Sequence, residues 1–76
     1  MIVRVYEFRG GEMVNQFTDH AAQNERMGFI EALGILHGES PQANFELEPI
    51  GKGLWFYQMV LDGDMPVTFI IGEIGP

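Results

Sequence analysis

The stretch Leu54 to Leu61, LWFYQMVL, restricts the fold more than any other feature of the chain. As a strand it is apolar on both pleat faces, with Leu54, Phe56, Gln58 and Val60 on one side and Trp55, Tyr57, Met59 and Leu61 on the other. Such a strand belongs inside a sheet, and both faces of that sheet then need cover. The remaining sequence has to supply neighbouring strands and whatever layers lie above and below them.

It supplies one helical layer. Ala22, Arg26, Phe29, Ile30, Leu33, Leu36 and His37 recur at three- and four-residue spacings, which predicts a helix over about 20–37 with Phe29, Ile30, Leu33 and Leu36 facing the core. Thr18 or Asp19 is the expected N-cap, Gly38 suits a left-handed C-cap, and Pro41 forbids continuation. Gly28 and Gly34 inside the helix each cost about 0.8–1 kcal/mol relative to Ala, so close packing, expected from the sheet, should account for them.

The other segments read as strands. Ile2 to Phe8 is rich in Val, Ile, Tyr and Phe, and Gly10-Gly11 suits a two-residue hairpin turn with positive φ at both positions. That pairs 2–9 with 12–17, sets Phe8 against Met13 and lets Arg9 meet Glu12 as an ion pair. Residues 42–48 alternate, with Ala43, Phe45 and Leu47 on one side and Asn44, Glu46 and Glu48 on the other, as in a strand with one wet face. Gly51-Lys52-Gly53 and Asp62-Gly63 are turns, and Pro66 belongs at the start of a last strand over about 67–74 whose end from Gly72 frays. The expected fold is α+β: a two-layer sandwich of order ββαβββ, one antiparallel sheet of four or five strands with a single helix across one face.

The 76 residues suffice for a single compact domain, 1–76, and not for two. Eleven Asp and Glu against four Lys and Arg give a net charge of −7, which argues against direct nucleic-acid binding, since that affinity comes from cations releasing counterions. The absence of cysteine removes disulfides, thiolate metal sites and thiol nucleophiles, and suits a reducing cytoplasm. With no long apolar run and no charged leader, the chain reads as a soluble, unprocessed protein away from membranes.

Catalytic chemistry finds little support. His20 and His37 are 17 residues apart, about 25 Å along one helix, too far to share a metal, and read as a solvent-facing residue near a cap and a cation-compatible residue near the carbonyl end. Asp62-Gly63-Asp64 lacks the further ligands of a calcium loop, and the single Lys, Lys52, lies in no phosphate-binding pattern. Glu46 and Glu48 on one strand face would lie about 6.5–7 Å apart, a distance compatible with two-carboxylate hydrolysis, yet exposed and without a cleft. No enzymatic activity, cofactor or metal is expected.

Two surfaces point to protein binding. Only one sheet face has a helix to cover it, so a patch of Trp55, Tyr57 and Met59 is expected at an interface with a partner or a second copy, unless a strongly twisted sheet fills the face itself. Asn44, Glu46, Glu48, Asp62 and Asp64, with Glu25 and Glu31, are expected to form an acidic face that competes for a basic groove, carboxylates on alternate strand residues repeating at about twice the DNA phosphate rise. In general type the chain is similar to small phage-encoded inhibitors of host machinery, including anti-CRISPR proteins and inhibitors of RNA polymerase or restriction enzymes; no motif carries this likeness. The leading expectation is a non-enzymatic, cytoplasmic inhibitor or regulator that occludes a nucleic-acid-binding protein. The alternative is a homo-oligomeric structural or accessory subunit closing on its apolar sheet face.

Overall fold

The computed structural model describes residues 1–14, 18–61, 63 and 65–75. The chain runs β1 (Ile2–Arg9), β2 (Glu12–Met13), β3 (Thr18–Ala21), α1 (Glu25–His37), β4 (Glu48–Gly51), β5 (Leu54–Val60) and β6 (Pro66–Gly75). The strands form one open antiparallel sheet of order β2-β1-β6-β5-β4, with β3 on the same edge of β1 as β2. The architecture is the expected α+β sandwich, one helix on an antiparallel sheet.

The first hairpin forms in the expected register, Phe8 opposite Met13 and Arg9 opposite Glu12, across Gly10 at φ 59° and Gly11 at φ 82°. Both glycines are needed there, because side chains at those angles clash with their own backbone. The expected return arm is a strand over Glu12–Met13. It pairs briefly as β2 and then as β3, where Ile2 to Val5 face Ala21 to Thr18; residues 15–17 lie outside the described residues. Arg9 turns to Glu7 at 2.6 Å and is not held by Glu12.

That second pairing also moves the helix start. With residues 18–21 committed to β1, and Asp19 held by Arg4 through two hydrogen bonds of 2.7 and 3.0 Å, neither Thr18 nor Asp19 caps α1. The cap is Asn24, in extended conformation, whose side-chain oxygen accepts from the Met27 N–H at 2.8 Å. The C-terminus is as expected: Gly38 is left-handed, and its N–H donates to the Gly34 carbonyl at 2.9 Å.

Gly28 is where helix and sheet touch. A Cβ there would lie 2.2 Å from Val3 Cγ2, so only glycine allows this approach. Gly34 has nothing within 4 Å of a Cβ position and is not explained by packing. The core joins Val3 and Val5 of β1 and Val67, Phe69 and Ile71 of β6 to Phe29, Ala32 and Leu33 of α1. Phe29 is its hub, with ring centroids 5.2 Å from both Phe69 and Tyr57 and 5.9 Å from Phe45.

Residues 42–47 form no strand. The Phe45 N–H donates to the Gln42 carbonyl at 3.0 Å, and Phe45 and Leu47 pack inward beside α1 as a covering segment. The alternation there reflects burial without ladder pairing, and β4 begins only at Glu48. The tail does not fray: β6 continues to Gly75 and pairs with Ile2 and Val3 across an irregularity, so β6 lies between β1 and β5 and is the middle strand of the sheet.

Candidate functional site

The register of β5 on β6 decides which apolar face is covered. Trp55, Tyr57 and Met59 lie opposite Ile71, Phe69 and Val67, all buried on the helix side. Opposite residues of an antiparallel pair share a face, so the Trp55, Tyr57 and Met59 patch is not the exposed one. These side chains are half-buried against the core, Tyr57 meeting Phe45 at 5.5 Å. The uncovered face carries the alternate set: Leu54, Phe56, Gln58 and Val60 of β5, Thr68 and Ile70 of β6, and Arg4, Tyr6 and Phe8 of β1, with Tyr6, Phe8, Phe56 and Ile70 half-buried. Leu54 is 41% and Val60 55% exposed.

The acidic residues divide between two places. Asn44 and Glu46 line an open cleft of about 670 Å³ together with Glu25, Arg26 and Phe45, between the start of α1 and the covering segment. Its lining cation is engaged: the Arg26 guanidinium lies 4.2 Å from the Phe45 ring centroid and donates to the Ala43 carbonyl at 3.1 Å. Glu48 is elsewhere, the first residue of β4, opposite Phe56 on the margin of the uncovered face. Glu46 and Glu48 therefore do not share a strand face, which removes the basis for both the two-carboxylate spacing and the phosphate-like repeat. Asp62 and Asp64 lie outside the described residues.

A second cluster was not anticipated from the sequence. Glu7 is buried on the helix side of β1, and its carboxylate accepts from His37 Nε2 at 2.5 Å and from Arg9 Nε at 2.6 Å. Burial pushes the Glu7 carboxyl up, but hydrogen bonds from His37 and Arg9 outweigh it and hold the group below the ordinary glutamate range. The three residues border a cavity of about 320 Å³ with Val14 and Leu36. Among the described residues that lining offers no hydroxyl or thiol, and each Glu7 oxygen already has a donor, so the cluster has the form of a tie between β1 and the helix end. The legible sign was an acid in the inward phase Val3, Val5, Glu7; its partner His37, 30 residues away, had no local mark.

His20, expected near the helix start, is buried on β3, its Nδ1 3.8 Å from Glu31 Oε1. Lys52 and Gly53 form the β4–β5 turn. Among the described residues no three His, Asp or Glu side chains converge to hold a metal ion, and no helix is long and apolar enough to cross a membrane. Comparison of the chain with family models, curated proteins and solved structures gives no match.

Proposed function

We propose that this is a non-enzymatic protein-binding regulator, an inhibitor that occludes the basic, nucleic-acid-binding surface of another protein. The observation that carries the reading is the acidic cleft beside α1, where Glu25 and Glu46 line one concavity with Asn44 while Arg26 is drawn onto Phe45 and Ala43. Arg26 offsets one of the two carboxylates, so the cleft keeps a net negative charge within a chain of −7, the sign that steers association toward Arg- and Lys-rich grooves. The saturated Glu7, His37 and Arg9 cluster supports a role without catalysis, since among the described residues the imidazole has no adjacent nucleophile to activate. Small size, acidity and lack of cysteine support, as a likeness of type, a phage-encoded inhibitor of the anti-CRISPR or anti-host-factor sort acting in a bacterial cytoplasm.

The test is capture from bacterial lysate with the wild-type chain and with a Glu25→Lys, Glu46→Lys double variant. A stoichiometric basic protein retained by the wild type at about 50 mM salt, released at about 500 mM and not retained by the double variant, is the expected result. Equal retention by both proteins would remove the electrostatic mechanism.

A further inference from the structure

We propose that the last turn of α1, from Gly34 to Gly38, is a proton-controlled latch that opens and closes on its own while the rest of the helix stays in place, with Glu7 as its catch. The latch lies at the end of the helix away from the acidic cleft and does not rest on the reading of that cleft.

Burial divides the helix. Its buried residues are Gly28, Phe29, Ala32 and Leu33, and Phe29 is tied into the aromatic core. Beyond Leu33 the hold on the sheet thins: Gly34 is exposed, Ile35 is 65% exposed, and Leu36 and His37 are half-buried beside the cavity of about 320 Å³. A turn that buries so little opens readily, because few contacts are lost. Gly34 adds to this. Nothing lies within 4 Å of a Cβ at that position, so no neighbour demands glycine, yet glycine is the weakest helix former after proline. Its backbone freedom favours the uncoiled chain at the point where the buried part of the helix ends. Gly34, which packing leaves unexplained, has a physical role as the hinge. At the far end of the turn Gly38 is left-handed, and its N–H donates back to the Gly34 carbonyl at 2.9 Å.

Side chains then decide whether the turn is shut. His37 Nε2 donates to Glu7 Oε1 at 2.5 Å, and the His37 ring stands edge-on to Phe69 with centroids 6.4 Å apart. Among the described residues the charged or titratable groups that face the Glu7 carboxylate are His37 from α1 and Arg9 from its own strand. On β6 the residue opposite Glu7 is Phe69, and on β2 Glu12 stands opposite Arg9. Arg9 and Glu7 belong to one strand, so the bond to His37 is what links the turn to the sheet. An Nε2–H is available for donation in the charged ring and in one tautomer of the neutral ring, so the imidazole can hold in both states. The carboxylate is the member whose charge decides, since a protonated Glu7 no longer strengthens either bond by charge. Against the upward push of burial, its two donors hold the carboxyl below the ordinary glutamate range. The latch is therefore shut above about pH 4.5 and released as pH falls through the folded value. Release lifts Leu36 and His37 away from Val14 and Glu7 and opens the cavity between them.

Hydrogen exchange of the full chain in a series of low urea concentrations tests the latch. The His37 and Gly38 amides should exchange through an opening with less than about half the urea dependence seen at Phe29 and Leu33, since a single turn exposes little surface. Glu7→Gln and His37→Phe should each speed exchange at His37 and Gly38 at least about tenfold near pH 6, and Gly34→Ala should slow it about fourfold. Protection of these two amides in the wild type should fall between about pH 6 and about pH 3, and in Glu7→Gln it should no longer fall. Last-turn amides that share the urea dependence of Leu33 in the wild type overturn the proposal, because the turn then opens only with the whole fold. So does exchange at His37 and Gly38 that Glu7→Gln leaves unaltered or, should that variant fail to fold, that His37→Phe leaves unaltered, because the helix end then frays without a catch.

Discussion

At the residue scale the two helical glycines offer opposite outcomes from the same substitution. Gly28→Ala drives a methyl group into Val3, a stiff, fully buried β-branched side chain, and the overlap should cost about 1–3 kcal/mol, outweighing the gain of up to about 1 kcal/mol in helix propensity. Gly34→Ala adds its methyl to open space and should stabilise by about 0.5–1 kcal/mol. Urea midpoints of the two variants, with unchanged m-values, check both signs. Glu7 provides a pH prediction. Its carboxyl is held below the usual range in the folded chain, so the unfolded chain binds more protons and stability rises with pH between the folded and unfolded pKa values. The contribution is present above about pH 4.5, the ordinary value, and is lost as pH falls through the folded value. Glu7→Gln should therefore cost about 2 kcal/mol near neutrality, where it replaces hydrogen bonds to a charged group, and progressively less in acid. Melting curves of both proteins from pH 7 to pH 3 should converge; curves that stay parallel would show that Glu7 titrates alike in the folded and unfolded chain.

At the scale of elements, the covering segment 42–47 has no ladder to hold it, so its order depends on Phe45 beneath and Arg26 above. Arg26→Ala removes both the ring contact and the hydrogen bond to Ala43, and hydrogen exchange at the Phe45 amide should accelerate at least about tenfold while Phe69 in β6 stays protected. Exchange that rises equally at both amides would mean that Arg26 supports the whole fold. The same segment shows where reading the sequence stops. Phe45 and Leu47 were legible as buried, but alternation reports burial and not pairing, and no local residue announces that Phe45 bonds to Gln42. Gly10-Gly11 and Gly38 were legible because their backbone angles are local demands that glycine meets. The helix start was not: Thr18, Asp19 and Asn24 are all capping types, and Asp19 is taken by Arg4, fifteen residues earlier. The inward face of β5 was undecidable for a related reason, since both its faces are apolar and only the register with β6 distinguishes them. The candidate site inherits these limits. Asn44 and Glu46 meet Glu25 in one cleft and not on a strand face, while Glu48 is carried to the other face when β4 begins late.

At the scale of the whole molecule, binding of a partner should follow salt. A chain of net charge −7 carries its field beyond its own surface, and screening shortens the reach of that field from about 10 Å at 0.1 M to about 3 Å at 1 M. Binding of a basic partner to the Glu25 and Glu46 cleft depends on attraction between exposed charges and should weaken over that range, chiefly through a slower association rate. Association rates at about 50 and about 500 mM salt measure the response. A rate that does not fall with salt would mean that the cleft does not steer the encounter.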